Sequence, residues 1–588
     1  MDWSSDRPSH LGSNHAAVAE FRTMAAPDLS DLRVYSAARI HTMDPGRPEA
    51  TAVAVAAGRI VSVGSMESMQ PWLRRHPHTI DDSFADRILM PGFIDPHTHL
   101  RMSGTYMGLD YVGPIDSASP TGLRAGLPSR DAVLNQLRSL AAEASTGPDG
   151  RPQPVTTWGY DPATQQGHLD RDLLDQVSDT VPLWVCAYAP HIVYANTPMI
   201  ELIGVDEHTD LHGLGRYPDG RLNGWFIETA AVGRAFKPVA AHVFGEGFGR
   251  EAVDRMGAVA QAAGITTTTD MIWGIDDFEA EWADHRAAID GNTFPLRMLM
   301  VPFEPRLVNA YGADMLDYLA TKRAEGDDRL TTHGIKYVND GSYPSMTLKL
   351  GFPGYLDGEE GLTGETPWDQ IYDRMLPFWT AGIQIHSHAN GDDTVDMTLD
   401  VLQRLQNSHP RFDHRFVIEH YCLSNPAQAR RLAALGGGAS VNAYFVRYRA
   451  QMHAEAGFGP DRSEATARLG SLERAGAPFA LHSDFNLVVT PLSPLLVAEI
   501  ATTRLGADGE TVLAPGERIS VDRALRAITV DAAYILSQDD RLGSIEVGKL
   551  ADFTVLADDP YEVAPTEIGS IEVVDTILGG APTRLGNG

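Results

Sequence analysis

Eight short runs of apolar and β-branched residues recur along the middle of this chain, and most are separated by segments of helical periodicity. They are "ILMPGFIDPHTH" (88 to 99), "GITTTTDMI" (264 to 272), "PLRMLMVPF" (295 to 303), "GIKYVND" (334 to 340), "IQIHSHA" (383 to 389), "RFVIEHY" (415 to 421), "GASVNAYF" (438 to 445) and "FALHSDF" (479 to 485). Strands alternating with helices argue for a parallel sheet, and eight repeats suggest a closed barrel. An intervening helix is exemplified by "REAVDRMGAVAQAAG" (250 to 264), whose apolar positions recur every three or four residues and whose end carries glycine. The first gap is too long for one crossover helix, so residues about 101 to 245 are read as an insertion lying over one barrel face.

A chain of 588 residues exceeds what one core serves, so further domains are expected. Residues 1 to 28 read as a mobile N-terminal extension, being rich in Ser, Asn, Pro and Gly and charged where a signal peptide needs an apolar core. Next come "LRVYSAARIHTM" (32 to 43) and "TAVAVAAGRIVSVG" (51 to 64), the latter with Gly58-Arg59 as a hairpin turn. The same texture returns in "GSIEVGKLADFTVLADDP" (543 to 560) and "IEVVDTILGG" (571 to 580), which predicts one small β domain built from both chain ends. The net charge of -31 disfavours nucleic acid and anionic membrane surfaces as partners, and no apolar run approaches the about 18 to 20 residues of a membrane span. Cys186 and Cys422 are the only cysteines and are far apart, which removes thiolate zinc sites and disulfide scaffolds. With no export signal read, the expected location is the cytoplasm.

Polar residues cluster at the carboxyl ends of the runs: His97, His99, Asp270, Lys336, Asp340, His388, His420 and Asp484. A barrel of parallel strands gathers its functional groups at that rim. A His-x-His pair within a strand directs both imidazoles to one side, because side chains alternate with period two. Alone the pair is weak; with His388, His420 and Asp484 it makes four imidazoles and a carboxylate, a donor set for one or two borderline metals such as zinc. Lys336 is either an ordinary cation paired with Asp340 or Asp484, or a lysine carbamylated by carbon dioxide whose anionic oxygens bridge two metals. His386 points to the same side as His388, as a core histidine or a supporting group of the site. Tyr444, Phe445 and Tyr448 line an aromatic pocket or serve as packing.

Several motifs in order resemble the amidohydrolase superfamily, and within it the amidohydrolase family 3 branch that includes YtcJ-like proteins and N-substituted formamide deformylases. They are "PGFIDPHTHL" (91 to 100), "WGYDP" (158 to 162), "PHIVYANTPMI" (190 to 200), "GITTTTD" (264 to 270), "GIKYVNDGS" (334 to 342), "HANGD" (388 to 392), "RFVIEH" (415 to 420), "HSD" (482 to 484) and "GSIEVGKLADFTVL" (543 to 556), spread over residues 32 to 580. The resemblance implies an α/β fold with a (β/α)8 TIM barrel over 88–535, and a small β-sandwich domain formed by 29–87 and 536–588. It implies His97, His99, Lys336, His388, His420 and Asp484 as metal ligands, one or two divalent ions with zinc foremost, Lys336 carbamylated where two are held, and a homodimer. His191, Asn196 and Glu228 match the family's inserted segment and are expected near substrate, as are Asp340, His386 and Tyr448, with capping or loop pairing as the alternative. The chain departs from the family around the pocket: Asn390 where "HAIGD" is common, His482 where a glycine usually precedes Ser-Asp, and "DGSYPSMTLKL" in place of "DGSLGS".

The expected function is hydrolysis of a non-peptide carbon–nitrogen bond in a small amide, formamide or carbamate by metal-activated water, with Asp484 as general base. Ester or lactone hydrolysis and a lyase or decarboxylase reaction use the same centre and remain alternatives, as does an inactive interaction protein. A serine hydrolase lacks its G-x-S-x-G elbow here and a nucleotide phosphate its P-loop.

Overall fold

The computed structural model describes residues 31–583 except 148–149, 189, 191, 241–247, 365, 486–487 and 489. The expected extension at 1 to 28 and the expected substrate-side His191 lie outside the described residues. No helix among the described residues is long and apolar enough to cross a membrane.

Eight parallel strands occupy the positions of the eight sequence runs: β1 (Phe93–Asp95), β2 (Ile265–Trp273), β3 (Arg297–Pro302), β4 (Ile335–Val338), β5 (Ile385–Ala389), β6 (Val417–His420), β7 (Gly438–Val441) and β8 (Phe479–Leu481). They pair in sequence order within two sheets, β1 to β3 in one and β4 to β8 in the other. The break between the sheets is local. A short strand at Leu330–Thr332 pairs with β3, the chain turns at Gly334 with φ 54°, and β4 then pairs with β5. The sheets touch again at both margins, through a parallel bridge from Phe303 to Lys336 and through the Asp484 N–H, which donates to the His97 carbonyl at 3.1 Å. The strands are buried on both faces, and helices such as Asp392–Ser408 cover them with Val395, Leu399, Leu402 and Leu405.

The run at 88 to 99 divides into two strands. Ile88–Pro91 pairs with Arg33–His41 and Phe553–Leu556 in a sheet drawn from both chain ends, and only Phe93–Asp95 joins the parallel strands. Gly92 is the hand-over point, where a Cβ would lie 2.0 Å from Thr266 Oγ1. In the terminal sheet Tyr35, Val53, Val55, Phe553 and Val555 fill one core, while Val34, Ala52 and Ala54 pack with Met69 and Leu73 of a helix at Met66–Leu73. This is the period-two alternation that the sequence shows. The hairpin turn falls one residue before the Gly58-Arg59 pair: Ala57 and Gly58 take φ of 49° and 72°, the positive values of a tight hairpin turn, and Arg59 begins the next strand.

Between β1 and β2 the chain builds a further six-stranded sheet from residues between Asp110 and Ile227. A buried ion pair, Asp161 with Arg449 at 2.8 Å, ties it to the helical segment that follows β7.

Candidate metal centre

His97 and His99 do not lie within a strand. β1 ends at Asp95, and the two histidines occupy the turn before a helix at Leu100–Tyr106. Period-two alternation is therefore not what brings them together; the turn sets their ring centroids 5.3 Å apart and nearly perpendicular. The turn is held by the Asp484 N–H on the His97 carbonyl, by the Asp95 carboxylate accepting from the His97 and Ser483 amides at 3.3 Å each, and by Thr98 Oγ1 donating to the Thr269 carbonyl. Burial pushes the Asp95 carboxyl up to about 7.

Asp484 stands among the imidazoles. Its Oδ1 lies 3.2 Å from His99 Nε2 and 3.7 Å from His97 Nε2, and its Oδ2 lies 3.7 Å from His420 Nδ1. Asp484 and His420 both have positive φ, 54° and 72°, a backbone region disfavoured for residues with a Cβ and found where function demands a special orientation. The helix at Leu100–Tyr106 supports this wall: a Cβ on Gly104 would lie 1.9 Å from the Ala252 carbonyl oxygen of the helix at Phe248–Ala262.

Glu419 is fully buried beneath these rings. One carboxylate oxygen lies 2.6 Å from His97 Nδ1 and the other 2.7 Å from His386 Nδ1. With Glu419 accepting from Nδ1–H, the Nε2 lone pair of His97 faces the centre, the carboxylate–histidine arrangement that orients metal ligands. Burial alone would raise the Glu419 carboxyl, but the His386 hydrogen bond and the surrounding positive groups hold it at about 2. His386 Nε2 lies 3.1 Å from His333 Nε2, so both of its ring nitrogens are engaged in the interior and none is turned toward the rim.

Lys336 is buried, with Nζ 3.3 Å from His97 Nε2. It forms no ion pair with Asp340 or Asp484 among the described residues. Burial pushes its ammonium down to about 8, against the pull of Glu419 and Asp484. His388 sits beside His420, with ring centroids 4.5 Å apart, but its Nε2 is turned to Asp340 Oδ1 at 3.3 Å, the Gly341 carbonyl at 3.1 Å and the Asn390 side chain at 2.8 Å. Asp340 also accepts from the Asn390 and Gly391 amides at 3.0 and 2.8 Å, so it fixes the loop that follows His388 at the end of β5.

Other expected substrate-side residues have structural surroundings. Asn196 is fully buried as the N-cap of Thr197–Ile203: its oxygen accepts from the Leu183 and Met199 amides, and its NH2 donates to the Ser178 and Val181 carbonyls. Glu228 opens a helix at Glu228–Phe236, and its side chain is outside the described set. Tyr448 is half-buried, 6.4 Å from the Tyr444 ring. Phe445 stacks on Tyr343 at 4.8 Å.

Among the described residues, two sets of donors converge closely enough for a cation. One nitrogen or oxygen each from His97, His99 and Asp484 lies within 4.8 Å of the others, and so does one from each of His97, His420 and His482. Burial, with repulsion from Lys336 and neighbouring imidazoles, holds His97 and His420 well below the usual imidazole range, and burial pushes His482 down to about 4. Neutral imidazoles with buried lone pairs beside a carboxylate suit a divalent transition metal. Glu419 and Asp95 lie outside the set expected from the sequence, and His482, which in the sequence stands only as a departure from the family pattern, joins the donors.

The sequence profile of the amidohydrolase family matches residues 85–584. The chain belongs to the amidohydrolase family. As an amidohydrolase it is a metal-dependent hydrolase acting on carbon–nitrogen bonds other than peptide bonds, with a small-molecule substrate. Protein LONG AFTER FAR-RED 3 of Arabidopsis thaliana is 27% identical over 95% of this chain and 92% of its own length. The N-substituted formamide deformylase of Arthrobacter pascens is 22% identical over 94% of this chain and 98% of its own. Among solved structures, an uncharacterized metal-dependent hydrolase from Pyrococcus horikoshii OT3 superposes with a TM-score of 0.70 at 19% identity, covering 91% of this chain and 99% of that one. That likeness is one of fold, α/β and of the TIM-barrel type.

Proposed function

We propose that this amidohydrolase cleaves a small amide, formamide or carbamate, using one or two zinc ions held by His97, His99, His388, His420, Lys336 and Asp484. The observation that carries the reading is the convergence of the buried imidazoles of His97, His99 and His420 on the Asp484 carboxylate. The full-length match to an N-substituted formamide deformylase supports the bond class. The domain plan behind the reading is a (β/α)8 barrel over 88–535 closed at the two seams, with an insertion at about 101–245 and a β-sandwich from 29–87 and 536–588.

A divalent ion supplies Lewis acidity and lowers the pKa of water to about 7. The chain's own groups do the rest. Glu419 keeps His97 Nε2 unprotonated and aimed at the centre. Asp484, with lone pairs between His97, His99 and His420, takes the proton of the attacking water and delivers it to the leaving amine. Lys336, lowered to about 8 by burial, has a neutral amine fraction able to add to carbon dioxide and lose a proton, giving a carbamate.

Elemental analysis of purified protein is expected to find a substantial fraction of one transition metal per chain or more; full activity without metal overturns the reading. Asp484→Asn is expected to cost about 10²- to 10⁴-fold in turnover with metal partly retained. Near-normal activity removes Asp484 as the base. A panel of formamides, amides, carbamates, esters and lactones is expected to give carbon–nitrogen cleavage, and turnover of esters alone would replace that bond class.

A further inference from the structure

His482 immediately follows β8, two residues before Asp484, and is 1% exposed. Neither ring nitrogen has a hydrogen-bond partner among the described residues. A fully buried imidazole carries an N–H donor and a lone pair, and leaving such groups unmet is costly. The surroundings explain which way the ring is used. His482 stacks on His97 with centroids 4.7 Å apart and planes 25° from parallel, and it meets His420 at 5.1 Å, nearly edge-on. One nitrogen from each of the three rings falls within 4.8 Å of the others. Glu419 occupies His97 Nδ1, which leaves Nε2 as the nitrogen that His97 turns to the centre.

We infer that His482 is itself a metal ligand, forming with His97 and His420 a three-imidazole subsite; because Glu419 holds His97 Nδ1, the single Nε2 lone pair of His97 serves an ion either there or in the His97, His99 and Asp484 set, not in both at once. The inference rests on the metal-dependent reading above and adds a donor to it. Three neutral nitrogens with no anionic oxygen favour zinc, cobalt(II) or nickel over magnesium or calcium, which prefer oxygen.

The test strips the wild-type protein, His482→Gly and His482→Gln with a chelator, then titrates zinc and cobalt(II) against a chromogenic chelator, with circular dichroism as the fold control. Loss of an outer supporting group already weakens metal binding about 10- to 100-fold, so loss of a direct ligand is expected to weaken it at least about 100-fold and to change the visible cobalt(II) spectrum. Folded variants with wild-type affinity and spectrum overturn the inference. In crystals of zinc-loaded wild type, the anomalous peak is expected about 2.0 to 2.1 Å from a His482 nitrogen, a measurement that holds even where both variants fail to fold. Zinc bound on His97 with both His482 nitrogens beyond about 3 Å overturns it too. A wild-type protein that takes up no metal instead removes the broader metal-dependent reading.

Discussion

Glu419→Gln replaces one oxygen of a fully buried carboxylate by NH2 while keeping its shape. In the wild type the two oxygens stand 2.6 and 2.7 Å from the Nδ1 atoms of His97 and His386. The amide retains one acceptor, so only one imidazole keeps its arrangement. At the other, either two N–H groups oppose each other, costing about 1–3 kcal/mol, or the imidazole shifts its proton to Nε2. For His97 that shift places a proton on the nitrogen facing the metal centre. Metal affinity is therefore expected to drop about 10- to 100-fold, with secondary structure retained. Chelator competition with zinc reads the affinity, and a urea melt of metal-free protein reads the stability cost. Zinc binding at wild-type strength in a folded Glu419→Gln protein would refute the argument that this carboxylate orients His97.

Gly104→Ala drives a methyl group against a backbone carbonyl at 1.9 Å, and the helix after His99 must shift; about 1–3 kcal/mol of stability and part of the zinc affinity are expected to go, read by denaturant melts and metal titration. Arg449→Met leaves Asp161 as a buried unpaired charge and is expected to destabilise the fold by about 3–5 kcal/mol, with Asp161→Asn in the same background restoring part of it; additive losses in that cycle would contradict the pairing. His482 and His453 are held down to about 4 and about 3, both chiefly by burial. The unfolded chain takes up their protons below about 6.5 while the fold does not, so metal-free protein is expected to lose stability as pH falls from about 6.5 toward 4, each histidine contributing at most about 1.4 kcal/mol for every pH step of one. Equilibrium melts across that range check the slope, and a flat profile would contradict it.

Much of the framework was legible in the chain itself. Patterns of two in the terminal segments and of three and four between the eight runs reflect which faces meet water, a constraint local enough to be written in residue order. The rim histidines, Lys336 and Asp484 were legible for the same reason, as polar residues ending apolar runs. The tertiary structure decided which atoms meet. Glu419 precedes His420, and alternation would send the two to opposite faces; the positive φ of His420 breaks the alternation and lets both point inward. His388 lies at the expected strand end, yet Asp340 and Gly341, about fifty residues earlier, turn its Nε2 aside. Asn196 lies in a family motif, and only the packed loops reveal a capping residue with every polar group used. His482 acquired its reading when the segment after β8 met the turn after β1 and stacked it on His97. Side-chain period is a property of the neighbouring backbone, whereas ligand convergence depends on the register of strands hundreds of residues apart, and only the packed fold supplies that.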